Sequence, residues 1–112
     1  MFDAGAVSYA QPSVTKVGGI SEFRKVVTLA EAANVTVAPH SSYFGPGFLA
    51  TLHLLAAMPE ASLVEQMFLR LEAYIHGDWN HPKGNAFAVP DGPGLGSAPD
   101  PNIIKDYTDA DS

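Results

Sequence analysis

The alternation of apolar and polar positions divides the first 76 residues into short strands and longer helices. Residues 7–11 are typical of a short strand, and residues 35–38 form a β-branched run typical of a second one. Between them, with Ser21 as the predicted N-cap, lies a helical pattern. Its apolar residues recur at i, i+3, i+4 and i+7: Phe23, Val26, Val27 and Ala30. This spacing predicts a helix whose single apolar stripe packs against a sheet.

A second predicted helix and a third predicted strand follow. Residues 47–58 are apolar nearly all round, which predicts a helix covered on more than one side. Residues 62–65 are interpreted as a third strand, and residues 67–76 as a helical or irregular segment. The order β-α-β-α-β implies right-handed crossovers and a parallel sheet.

A second region, residues 77–112, is rich in proline and glycine and is predicted to be an extended tail that runs across a neighbouring surface. A strand at 86–89 and a short helix at 102–107 are expected within it. The first region, residues 1–76, cannot enclose itself, because a parallel sheet is buried on both faces and three strands leave both edges unpaired. We therefore expect an incomplete unit that pairs with the rest of a larger fold or self-associates through its strand edges.

Composition narrows the classes of partner. The net charge of -6 repels phosphate backbones and anionic lipids, which argues against nucleic acid and membrane surfaces. The absence of cysteine excludes disulfides and thiolate metal sites. The longest apolar stretch, residues 48–58, is far shorter than the roughly 20 residues of a membrane span. The N-terminus lacks the features of a signal peptide, so a cytoplasmic location is the default expectation.

Candidate chemistry lies at the carboxyl ends of the predicted strands, where ligands meet parallel α/β folds. Ser13, His40 and Glu65 occupy those positions. A histidine there can exchange a proton near neutral pH, and a carboxylic acid can hydrogen-bond to an oxyanion as it develops. The alternative is structural, with His40 capping a strand end and Glu65 facing solvent.

Four segments in order, residues 11–20, 38–41, 52–59 and 63–65, resemble the last third of the barrel domain of the enolase superfamily, mandelate racemase and muconate lactonizing enzyme type. Residues 89–96 are similar to the C-terminal segment of that family. The resemblance implies an α/β fold in which this chain supplies the C-terminal three βα units, strands six to eight, of a (β/α)8 TIM barrel, plus an extended tail.

The resemblance also implies a chemistry. Members of the family abstract the proton α to a carboxylate and stabilise the resulting enediolate on Mg²⁺, whose carboxylate ligands lie on the third, fourth and fifth strands. Those strands are outside this chain, which is therefore expected to bind no metal and to be inactive alone. The implied enzyme is an acid-sugar dehydratase or a racemase with a hydroxy-carboxylate or acid-sugar substrate. The competing hypothesis is a non-catalytic, truncated barrel fragment that acts as an assembly or interaction module.

By position in the family pattern, His40 matches the general acid or base after the seventh strand. Glu65 matches the glutamate that hydrogen-bonds the substrate carboxylate. Ser13 stands where the family has an aspartate that orients this histidine or a catalytic lysine, so it weakens His40 as a base and favours a role as an acid. Lys16 matches a lysine before the Gly-Gly turn, with either a structural role or a contact with an anionic substrate.

The remaining polar and aromatic candidates surround these positions. Ser41 and Tyr43, which follow His40, are predicted to contact the substrate, although an aromatic residue such as Tyr43 more often packs on a neighbouring element. His53 matches a structural histidine of the family. The donors of residues 76–81, namely His76, Asp78 and His81, suit a transition metal, but the irregular context favours a surface loop.

Overall fold

A computed structural model describes residues 1–59 and 63–109 of the chain. It contains, in chain order, β1 (Tyr9–Ala10), α1 (Ile20–Ala32), β2 (Thr36–Val37), α2 (Pro46–Ala56), a 3-10 turn (Gly77–Asn80) and α3 (Pro101–Tyr107). Within those two ranges, the structure has no helix long and apolar enough to cross a membrane.

The two strands pair in parallel, with Tyr9 opposite Thr36 and Ala10 opposite Val37. α1 is the crossover between them, so the predicted β-α-β unit is present. Hydrogen bonding continues past the strands, since the amide of Ala38 donates to the Ala10 carbonyl at 2.9 Å. The amide of His40 then donates to the carbonyl of Pro12 at 3.1 Å. These bonds bring the segments after both strands together.

α1 begins one residue earlier than its predicted N-cap. Ser21 lies inside the helix, and Gly19 is the N-cap with a φ of 101°, a backbone conformation that glycine adopts without strain. The amide of Phe23 donates to the Gly19 carbonyl at 3.0 Å. Phe23 and Ala30 are buried, as the apolar stripe predicts. The backbone freedom of the Gly-Gly pair, rather than a side-chain cap, decides where this helix begins.

α2 forms the centre of the core and is buried on several sides, as its uniform apolar pattern predicts. One group of buried residues joins α1, the strands and α2, and includes Phe23, Val37, Ala50 and Leu54. A second group on α2, consisting of Phe48, Leu49 and Leu52, packs against Trp79 and Phe87 of the tail. The helix therefore packs between the strand unit and the proline-rich region.

The predicted third strand is not formed. Ser62 lies outside the described residues, and residues 63–65 are irregular rather than paired. Residues 67–76 are irregular as well, which was one of the two alternatives. The strand expected at 86–89 is also wrong, because only an isolated bridge between Lys83 and Ala86 is formed there. Strands depend on partners as well as on local sequence, and β-propensity alone does not supply a partner.

The tail lies against the rest of the chain through hydrogen bonds and a short helix. His53 of α2 bonds through Nε2 to the carbonyl oxygen of Leu95 at 3.0 Å. The amide of Asp100 donates to the carbonyl of Ile75 at 2.8 Å. The Asp100 side chain then caps α3 by accepting from the amide of Asn102 at 2.8 Å. The short helix predicted in the tail is thus confirmed, beginning at Pro101.

Candidate functional site

The structure brings together two of the residues predicted at strand ends. Nδ1 of His40 lies 3.0 Å from Oε2 of Glu65, although 24 residues separate Glu65 from Ser41, the neighbour of His40. The side chains are 39% and 43% exposed, respectively, so the contact is accessible to a ligand. An imidazole and a carboxylate at this distance form a hydrogen-bonded pair that can hold and move a proton.

The position of His40 follows from the local backbone. Pro39 is buried and restricts the residue before it to extended backbone, which carries the chain straight on from β2. The amide bond to Pro12 then fixes His40 beside the end of β1. The edge of the Tyr43 ring meets the imidazole, with ring centroids 6.4 Å apart. His40 is therefore held on two sides, while a large part of its side chain faces solvent.

Ser41 is the residue that sequence reasoning placed in the site without finding its partner. Its side chain is fully buried. Its amide donates to Oε2 of Glu65 at 3.0 Å, and its hydroxyl donates to the main-chain carbonyl of Glu65 at 2.8 Å. Nothing in the spacing of the sequence could pair these two residues, because the expected link was a strand ladder.

Ser13 and Lys16 lie outside the His40–Glu65 contact. Ser13 is buried, and its hydroxyl shares a 3.0 Å hydrogen bond with Oγ1 of Thr15. Lys16 is exposed in the turn that follows, where its amide donates to the Ser13 carbonyl at 3.0 Å. Contact of either residue with a substrate stays a prediction.

Tyr43 makes the packing contact that was the alternative to its predicted role at the substrate. Its hydroxyl shares a 3.1 Å hydrogen bond with Oγ1 of the fully buried Thr51 on α2. Thr51 in turn donates to the carbonyl of Gly47 at 3.0 Å. These bonds attach the loop after His40 to the first turns of α2.

The described residues do not assemble a metal centre. Across residues 1–59 and 63–109, no group of three or more histidine, cysteine, aspartate or glutamate side chains could hold an ion. His76 is buried and bonds through Nδ1 to Ser97, while the His81 ring packs on Tyr74 with centroids 4.7 Å apart. The surface-loop prediction for residues 76–81 is wrong, because His76 and Asn80 are buried and residues 77–80 form the 3-10 turn. The donor set of this part of the chain does not fit Mg²⁺.

The segments that form this site lie in the part of the chain that matches a known protein family. Residues 1–103 match the sequence model of a family described as enolase C-terminal domain-like. The chain belongs to this family. The resemblance to the enolase superfamily seen in the sequence is thereby confirmed, and so is the α/β class of the fold. His40 and Glu65 both lie within the matched residues of this enolase C-terminal domain.

Relatives of this enolase domain include two enzymes with assigned activities. The chain is 33% identical over 93 residues to the 3,6-anhydro-α-L-galactonate cycloisomerase of Streptomyces coelicolor, covering 83% of the chain and 24% of that protein. It is 29% identical over 106 residues to the D-gluconate dehydratase of Thermoproteus tenax, covering 92% of the chain and 21% of that protein. The chain thus spans less than a quarter of the length of these two relatives.

A solved structure gives the same result in three dimensions. A member of the enolase superfamily from a Polaromonas species superimposes with a TM-score of 0.82 at 33% sequence identity. The superposition covers 100% of this chain and 30% of that one. The fold of the chain is therefore that of a part of an enolase-superfamily protein.

Proposed function

We propose that this chain is the C-terminal part of an enzyme that removes the proton α to a carboxylate, an acid-sugar dehydratase or a racemase. It would supply the last part of a TIM barrel, with β1 and β2 as two of the barrel strands, and the tail that packs on it. The observation that carries the proposal is the accessible contact between His40 and Glu65 at 3.0 Å. The dehydratase and cycloisomerase among the relatives support this class of reaction.

In this proposal His40 moves a proton and Glu65 recognises the substrate. Because Nδ1 of His40 faces Oε2 of Glu65, Nε2 is the ring nitrogen left for the substrate. As an imidazolium, His40 donates the proton on Nε2 to a leaving hydroxyl. As a neutral ring, His40 accepts at Nε2 the proton removed from the α-carbon. As a carboxylic acid with its proton on Oε1, Glu65 donates a hydrogen bond to the substrate carboxylate while negative charge develops on that group.

Magnesium enters the proposal only from outside this chain. Superfamily enzymes generally use Mg²⁺, which supplies charge stabilisation to the carboxylate when it is bound. The described residues offer no group that could hold the ion. The proposal therefore assigns its ligands to other parts of a complete barrel and gives this chain the proton transfer and the carboxylate contact.

The test uses the complete product of the reading frame that contains this sequence. A panel of acid sugars and 2-hydroxy acids is incubated with the protein and Mg²⁺ in D₂O, and proton NMR follows loss of the α-proton signal. We expect His40→Asn to lower turnover by about a hundredfold or more, as for a lost general acid or base. His81→Asn, which changes a histidine outside the site, is the matched control and should retain activity.

Two results would count against the catalytic proposal. The first is a wild-type protein that neither exchanges the α-proton nor eliminates water with any member of the panel. The second is a His40→Asn variant whose turnover equals that of the His81→Asn control, which would make His40 a structural residue.

A second candidate function, an assembly module, is favoured by the exposed apolar side chains. Leu63 is 83% exposed and Phe68 is 88% exposed, in a segment that has no strand partner among the described residues. Such groups are typical of surfaces that another polypeptide covers. The intact mass of the native protein separates the candidates, since a stable product of 11.8 kDa would favour the module.

A further inference from the structure

The contact between Ser41 and Glu65 has two parts that act on different groups. The Ser41 hydroxyl holds the main chain of Glu65 at 2.8 Å, and the Ser41 amide holds its carboxylate at 3.0 Å. Both donors come from a residue whose side chain is fully buried. Two hydrogen bonds from one rigid residue fix both the position and the rotation of the glutamate.

The contact between Ser41 and Glu65 holds residue 65 beside the end of β2, as the hydrogen bonds of a strand ladder would if residues 63–65 were paired. Residues 63–65 are not paired as a strand, so no ladder sets their register against β2. Ser41 follows β2 directly and reaches across 24 residues of sequence to Glu65. The placement of the carboxylate beside the imidazole therefore depends on this residue, whose hydroxyl holds the main chain of Glu65 while its amide holds the carboxylate.

His40 has one carboxylate partner within this part of the structure. The titratable groups in contact with its ring are Glu65, at 3.0 Å from Nδ1, and Tyr43, through the ring edge. Ser13, at the end of β1, is engaged with Thr15 instead. A carboxylate on Nδ1 fixes the tautomer and the orientation of an imidazole, which a serine hydroxyl does more weakly.

We infer that Ser41 is a positioning residue: it holds Glu65 so that Oε2 orients the His40 imidazole, with Nδ1 protonated and Nε2 directed to the substrate. This inference rests on the proposed function of His40 and gives Glu65 a second task. Oε2 takes both described contacts, from Ser41 and from His40, so Oε1 is left to carry the proton that Glu65 donates to a bound substrate. A single carboxyl group thus serves the histidine and the substrate.

The first test reads the tautomer of His40 directly and needs no substrate. Nitrogen-15 NMR of the histidine-labelled protein measures the ratio of the Nδ1–H to the Nε2–H form of the neutral ring. We expect Ser41→Ala to lower that ratio about fivefold, the equivalent of one ordinary hydrogen bond. Ser42→Ala, which removes the neighbouring hydroxyl, is the control and should leave the ratio unchanged.

A second variant keeps the inference testable if Ser41→Ala loosens the fold. Glu65→Gln preserves the shape of the side chain and an oxygen that can accept from Ser41, but it removes the negative charge next to Nδ1. We expect the Nδ1–H form to decrease here as well. A tautomer ratio that stays at the wild-type value in both variants overturns the inference.

The second test is kinetic and separates this inference from the proposed function. In a wild-type protein that is active, Ser41→Ala should lower kcat about tenfold, as is usual for partners that orient a catalytic group. KM should change much less, and the pH profile of kcat should shift relative to Ser42→Ala. An inactive wild type refutes the proposed function, whereas an active wild type with an unchanged Ser41→Ala profile refutes only the positioning role.

Discussion

Gly47 is the position at which the structure makes its sharpest prediction about stability. It is the second residue of α2, and a Cβ there would lie 2.5 Å from Cγ2 of Thr15 and 3.1 Å from Cε2 of Tyr43. Thr15 follows the end of β1 and Tyr43 follows His40. The absence of a side chain at Gly47 therefore lets both loops of the site approach the start of α2.

The size of the effect follows from two opposing terms. Replacing glycine by alanine in a helix gains up to about 1 kcal/mol of stability. An added methyl group in a packed region that cannot move away costs about 1–3 kcal/mol. The contact of 2.5 Å requires Thr15 to move, and its hydroxyl is held by Ser13 at 3.0 Å. We expect Gly47→Ala to lower the free energy of unfolding by about 1 kcal/mol overall.

Thr15→Ser supplies a matched background for this experiment. It removes the Cγ2 atom that meets the new methyl and keeps the hydroxyl that bonds to Ser13. In this background Gly47→Ala should be close to neutral, because only the 3.1 Å approach to Tyr43 remains. The double-mutant cycle should therefore show a favourable coupling of about 1 kcal/mol between positions 15 and 47.

Urea denaturation of the four proteins, followed by circular dichroism, measures the coupling. The slopes of the unfolding transitions should agree, so that the midpoints report stability. Equal effects of Gly47→Ala in both backgrounds would refute the reasoning, since the clash would then not involve Thr15. A stabilised single variant would show that the helix term alone decides the outcome.

Two further predictions concern the ionisation of the tail and the association of the chain. Desolvation and the carboxylate of Glu72, which is hydrogen-bonded to the Tyr107 hydroxyl, raise the pKa of Tyr107 above 10.0. The hydrogen bond between Tyr107 and Glu72 is therefore fully present below pH 10 and is lost as the pH rises through the raised pKa. The difference in tyrosinate absorbance between wild type and Tyr107→Phe should titrate above pH 10, and a midpoint at or below 10 would contradict this. Separately, the exposed Leu63 and Phe68 predict self-association of the isolated chain at micromolar concentration in analytical ultracentrifugation. Phe68→Ser should weaken it, and a compact monomer would contradict the prediction.

Local sequence was sufficient for the helices and for the first parallel pair of strands. The apolar stripe from Phe23 to Ala30 predicts α1, and the continuous apolar run of α2 predicts a helix that is buried on several sides. The two strands are joined by α1, so their parallel pairing is that of the β-α-β unit that the alternating pattern predicts. The helices depend on residues close together in the chain, and the strand pairing depends on the helix that connects the strands.

The elements that could not be predicted depend on individual contacts that follow no repeating sequence pattern. Residues 63–65 have the apolar composition of a strand, yet the structure links them to the segment after β2 through contacts of Glu65 with Ser41 and His40 rather than through a ladder. For the site, the strand-end rule placed His40 and Glu65 at the same edge, and their side chains do meet. The rule gave no information on which donor would hold the glutamate, because a hydroxyl pairing over this sequence separation leaves no pattern.

The attachment of the tail has a consequence for how this region can change over time. Its anchors use main-chain atoms: the carbonyl of Leu95 accepts from His53, and the amide of Asp100 donates to the carbonyl of Ile75. The intervening Ala98 and Pro99 are exposed. Substitutions at Ala98 and Pro99 should therefore have little effect, whereas Ser97 bonds to the buried His76 and Gly96 has no room for a Cβ beside Pro90. An insertion or deletion between the anchors would move one of them out of reach. Selection on Ala98 and Pro99 therefore acts on the number of residues more than on their identity.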